Sequence, residues 1–105
     1  MPLAERSRCS QAALKLVADY WVLRIVEELH LSENGLRFSE LQRALGGVSP
    51  ATLSNRLRRL EERKLIDREG TAGKLSVVYR LNERGTTVLP VIRAITAFAA
   101  AGGPV

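Results

Sequence analysis

Residues 39–50 constrain this chain more than any other stretch. Ser39-Glu40-Leu41-Gln42 has the spacing of a capping box, with serine at the N-cap and glutamine three residues on, each side chain satisfying an orphan helix amide. The helix so opened must stop at Gly46-Gly47, where glycine adopts left-handed backbone at little cost. Ser49-Pro50 then offers a second start, with serine as cap and proline at the first helical position, where its missing N–H is not needed. A short helix, a tight glycine turn and a second helix within about 25 residues make a helix-turn-helix.

The second helix, over residues 50–63, divides into faces at roughly 100° per residue. Leu53, Leu57 and Leu60 form a narrow inward stripe. Thr52, Asn55, Arg56, Arg59 and Arg63 gather on another arc, and Arg58 flanks it. Short hydrogen-bonding groups at the helix start (Ser49, Thr52, Asn55, with Arg56 beside them) suit base edges in a major groove. The later guanidinium groups of Arg58, Arg59 and Arg63 suit phosphates on its banks. The plain alternative is a solvated charged face, and the preceding turn and the hairpin that follows weigh against it.

The charge distribution agrees. The net charge is +5 and the pI about 10.1. Residues 1–55 hold six bases and six acids, whereas residues 56–105 hold ten bases against five acids. The whole surplus therefore lies in the second half, densest at Arg56-Leu57-Arg58-Arg59 and Arg63-Lys64. Concentrated positive charge favours a polyanion, nucleic acid before anionic lipid.

The flanking segments read as two helices before this unit and a hairpin and helix after it. Ser10 caps a helix over about residues 11–18. Asp19 caps another, in which Trp21, Val22, Ile25, Val26 and Leu29 recur at the spacing of a buried stripe. That helix ends near Ser32-Glu33-Asn34-Gly35, and Leu36-Arg37-Phe38 is a strand stub. Past Lys64 the period becomes alternating. Leu65–Glu69 is one strand, and residues 75–81 are a second, with Leu75, Val77, Tyr79 and Leu81 on one face. Gly70 and Gly73 make the turn between them, and the hairpin is a wing whose tip residue, Lys74, touches a phosphate or serves solubility. Asn82 caps a last helix carrying Val88, Val91, Ile92, Ile95 and Ala99 on one side. Pro90 should kink or restart it, and residues 98–105 should fray. So apolar a helix at the end of a small domain that already has a core points to a partner chain, two copies about a two-fold axis.

At 105 residues the chain reads as one domain. The expected division is 9–35 for the N-terminal helices, 36–64 for the helix-turn-helix, 65–81 for the wing and 82–101 for a dimerisation helix. One His and one Cys cannot make a Cys/His metal site, and no phosphate-binding or nucleophile-elbow spacing occurs, so neither an enzyme nor a cofactor is expected. No uninterrupted run of about 18 apolar residues predicts a membrane span. Without a secretory signal, and with a single cysteine that cannot close an internal disulfide, the expected compartment is the cytoplasm.

The chain resembles the HxlR-type winged helix-turn-helix regulators of bacteria over about residues 9–95. The matching residues are Cys9 and Trp21, Arg37-Phe38-Ser39-Glu40-Leu41, the run from Ser49 to Glu61, Leu65-Ile66, and Tyr79-Arg80-Leu81-Asn82-Glu83-Arg84-Gly85. The resemblance implies a mainly α fold with a small β-hairpin wing, acting as a homodimeric regulator on double-stranded DNA and dimerising through its first and last helices. It departs from the family in a shortened wing, which leaves the neighbouring MarR and PadR regulators open, and in Asp19-Tyr20 where the family usually has Gly-Lys. Some relatives sense oxidants or electrophiles through a cysteine at the position of Cys9, and Arg6 and Arg8 would favour its thiolate; inert packing is the alternative. A planar effector between subunits is conceivable but unidentified, since core packing already accounts for Trp21 and Phe38. A second functional reading, a winged helix used as a protein-interaction module without specific DNA binding, fits the same fold.

Overall fold

The helices that start at Gln11, Tyr20 and Pro50 in the computed structural model, which describes residues 10–70 and 77–102, each begin where a preceding side chain accepts from a free helix amide. Helix α1 (Gln11–Val17) is capped by Ser10, whose hydroxyl accepts the Ala13 N–H at 3.3 Å. Helix α2 (Tyr20–Leu31) is capped by Asp19, which accepts the Val22 N–H at 3.0 Å. Both caps lie where the sequence puts them. Along α2, Val22, Ile25, Val26 and Leu29 are at most 2% exposed, which makes this helix the centre of the core. Trp21 is only half-buried at the rim of that core, its ring edge-on to Tyr20.

Helix α3 (Phe38–Leu45) begins two residues before the start that a Ser39 cap would give. Arg37 occupies the N-cap, and the Glu40 carboxylate accepts its backbone N–H at 2.8 Å. The physical reason lies outside the helix. Leu36 exchanges two backbone hydrogen bonds with Tyr79, at 3.0 and 2.8 Å, so extended backbone ends at Leu36 and Phe38 turns at once onto the core. The expected strand stub is thus one bridging residue. Gly46 and Gly47 take φ of +53° and +89° and turn the chain into helix α4 (Pro50–Glu62). Leu41 and Leu45 of α3, Val48 of the turn and Leu53, Leu57 and Leu60 of α4 are all buried against α2.

Strands β1 (Ile66–Glu69) and β2 (Val78–Leu81) pair antiparallel, Ile66 opposite Leu81 and Glu69 opposite Val78. Tyr79 and Leu81 pack on the core, as the alternation predicts. Asn82 does not cap the last α-helix directly. Its side chain accepts the Gly85 N–H at 2.8 Å and so opens a 3-10 turn, Gly85–Val88, that runs into helix α5 (Leu89–Gly102). The restart expected at Pro90 therefore falls at Leu89, with the proline inside the first helical turn. A Cβ on Gly85 would lie 2.1 Å from the Leu65 carbonyl oxygen, so only glycine lets this turn close against the base of the wing. The fraying expected from residue 98 does not occur before Gly102, because Ala99, Ala100 and Ala101 are strong helix formers. Among the described residues, five α-helices and a two-stranded wing make this a winged helix-turn-helix.

Candidate nucleic-acid interface

The candidate interface is built on α4. Ser49 accepts the Thr52 N–H at 3.1 Å and donates its own hydroxyl to Thr52 Oγ1 at 3.0 Å, which locks the first turn. Leu53, Leu57 and Leu60 are 0–2% exposed and clamp the opposite side. Ala51, Ser54, Arg58 and Glu62 then form the ridge most open to solvent, and half-buried Asn55 borders it. Ser54 is absent from the sequence-based set. The signal for it was present, since it sits one helical turn before Arg58 on the face away from the leucines.

The predicted cations divide into two groups. Arg58 is exposed on the ridge, and Arg63 is exposed at the C-terminal end of α4, its carbonyl accepting from Arg84 Nε at 3.1 Å. Arg56 and Arg59 turn instead toward the junction of α1 and α2. Asp19 Oδ2 lies 3.1 Å from Arg56 Nε and 3.7 Å from Arg59 Nη1, while Arg59 Nη2 donates to the Lys15 carbonyl at 3.3 Å. Arg56 Nη1 also donates to Asn55 Oδ1 at 3.0 Å. The side chains of Asp19 and Arg56 are 15% and 25% exposed, so this is a partly desolvated cluster rather than a loose surface pair. Burial pushes the Asp19 carboxyl toward a higher pKa, but the Val22 amide, the Arg56 hydrogen bond and the charges of Arg56 and Arg59 together outweigh it and hold the group below its ordinary value. The single arc expected from helical periodicity is therefore two adjacent strips, an open ridge and a strip tied down by a carboxylate. Lys74 and Cys9 lie outside the described residues. Among the described residues no three His, Cys, Asp or Glu side chains gather as a metal ion would require.

The arrangement of a short helix, a glycine turn, a cationic helix and a wing also matches known proteins. The model of the HxlR-like helix-turn-helix family matches residues 16–103. This chain belongs to that family. It is 36% identical over 93 residues to the uncharacterized HTH-type transcriptional regulator YdzF of Bacillus subtilis, covering 87% of this chain and 84% of that one. The reduced form of the regulator YodB from B. subtilis superposes with a TM-score of 0.74 at 27% identity, over 88% of this chain and 91% of YodB. The structure described as a putative HTH-type regulator, ytcD, superposes with a TM-score of 0.76 at 26% identity, over 97% of both chains. This HxlR-like protein is thus a transcriptional regulator of the helix-turn-helix type, a class that binds DNA and performs no catalysis.

Proposed function

We propose that this regulator binds duplex DNA sequence-specifically, in the cytoplasm, as a homodimer that sets one α4 into the major groove of each half-site. The observation that carries the reading is the open ridge of α4. It presents Ser54, with half-buried Asn55 at its edge, then the Arg58 guanidinium and finally Glu62, all backed by three buried leucines. Short groups reach base edges and long cations reach phosphates. In this reading Asn55 contacts a base, with Ser49, Thr52 and the newly seen Ser54 around it. Arg58, Arg63 and Lys74 neutralise phosphates, and Arg56 and Arg59 line the flank. The dimer reading rests on apolar surface left bare: Ile95 and Phe98 of α5 are 50% and 76% exposed, and Leu14 of α1 is 51% exposed. Half-sites would then lie roughly 34–36 Å apart or at a multiple of that spacing.

Selection from a randomised duplex pool, followed by titration at several salt concentrations, tests this. Asn55→Ala is expected to relax preference at one position of each half-site. Arg58→Ala is expected to weaken all sequences alike and to reduce the salt slope by about 0.9 per lost phosphate contact. Unchanged selectivity in Asn55→Ala would remove Asn55 as a base reader. No complex with long duplexes even in dilute buffer would overturn the whole reading and favour a protein partner for α4.

A further inference from the structure

Asp19, Arg56 and Asn55 form a continuous chain of hydrogen bonds from the start of α2 to the edge of the α4 ridge. Asp19 Oδ1 is fixed by the Val22 amide at 3.0 Å. Its other oxygen holds Arg56 Nε at 3.1 Å, and Arg56 Nη1 donates to Asn55 at 3.0 Å. A guanidinium has five donors and no acceptor, so whichever end of the Asn55 amide faces Arg56 must be its oxygen. The Nδ2 amino group then points away from Arg56. Arg59 keeps the cluster in place, since it is bound to the same carboxylate and to the Lys15 carbonyl of α1.

We infer that Asp19 and Arg56 turn Asn55 into a reader that offers hydrogen-bond donors, favouring guanine over adenine at the base it meets. The inference rests on the reading of α4 as the groove helix with Asn55 at a base. An unrestrained asparagine pairs with adenine through both ends of its amide, accepting from N6 and donating to N7. Here Arg56 takes one lone pair of the Asn55 oxygen and that bond sets the amide's orientation, so the amino group is the end left free, and it matches an edge made only of acceptors, such as guanine O6 and N7. Asp19 is a positioning residue in this scheme; it sits two residues short of Trp21, far in sequence from α4, and acts on DNA only through Arg56.

The test is selection from a randomised duplex pool with the full chain, comparing wild type, Asn55→Ala, Asp19→Ser and Arg56→Met. Serine keeps the helix cap but has no carboxylate to hold Arg56; Arg56→Met leaves Asp19 and its cap intact, so it serves if Asp19→Ser fails to fold. Wild type is expected to prefer guanine at the position that Asn55→Ala relaxes. Both relay variants are expected to lower the guanine-to-adenine ratio there by about fivefold or more, the lower bound for one base contact, with other positions unchanged. A wild-type preference for adenine at that position overturns the relay. So does a uniform loss of affinity in the relay variants without a change of preference, which is what a merely structural Asp19 would produce. If Asn55→Ala itself changes no preference, the base-reading role of Asn55 fails and the relay falls with it.

Discussion

Asp19 performs two tasks with one carboxylate, capping α2 and anchoring two arginines of α4. The cap was legible because its donor lies three residues away. The anchoring was not, because Arg56 lies 37 residues away and nothing in the local pattern selects it. The pH dependence follows from the sign of the shift. The folded-state pKa of Asp19 lies below its ordinary 3.8, so its contribution to stability is fully present above that value and is lost as pH falls through the lower, folded one. At neutral pH, Asp19→Ser is expected to cost about 1.5–3 kcal/mol, the range for hydrogen bonds to charged groups. The gap between wild type and variant should stay constant down to mildly acidic pH and close only in strong acid, as read by urea unfolding across a pH series. A gap that closes near neutrality would mean that another group carries the effect.

The elements were more legible than their ends. The buried stripe of α2, the glycine stop of α3 and the Ser49-Pro50 start of α4 all depend on residues within one or two turns, where sequence spacing maps directly onto contacts. The start of α3 escaped that logic because two box-like spacings overlap, Arg37 to Glu40 and Ser39 to Gln42. The backbone pairing of Leu36 with Tyr79 decided between them. The end of α4 has a feature that spacing conceals. Lys64 adopts φ +62°, the Lys64 N–H donates to the Glu61 carbonyl at 2.9 Å, and the Leu65 N–H donates to the Leu60 carbonyl at 3.0 Å. This is a Schellman motif with lysine at the position that usually holds glycine. Lys64→Gly should therefore stabilise the fold by about 1 kcal/mol, the scale of the left-handed penalty on a side chain. A melting point higher by about 4–8 °C would show it in a domain of this size. No rise would mean that the lysine side chain contributes as much as its backbone costs.

At the scale of the whole molecule, the radius of gyration is 15.3 Å, against the roughly 13 Å of a compact domain of this length. The outer half of α5 contributes surface that the core does not cover. Gly85–Gly102 has the length and mean hydropathy, 1.3, of a membrane span, with 17% of it buried. No unbroken apolar run marks this span, because Thr86, Thr87, Arg93 and Thr96 interrupt it. A charge such as Arg93 near mid-span costs about 2.5–3.5 kcal/mol at a bilayer centre, and Val88 and Leu89 are already committed to the core, which favours the proposed dimer over a membrane as the cover for α5. Ile95→Glu combined with Phe98→Asp is accordingly expected to convert a dimer into a folded monomer, checked by sedimentation velocity and circular dichroism; a wild-type chain that sediments as a monomer at micromolar concentration would refute the dimer. The sequence by itself determined the helix-turn-helix, the leucine backing of α4, the excess of cations in the second half and the surplus apolar helix, because caps, glycine turns and periodic stripes are local in the chain. Only the tertiary structure decided which arginines stand open and which are tied down, and where α3 begins, because those outcomes depend on partners brought together from distant segments.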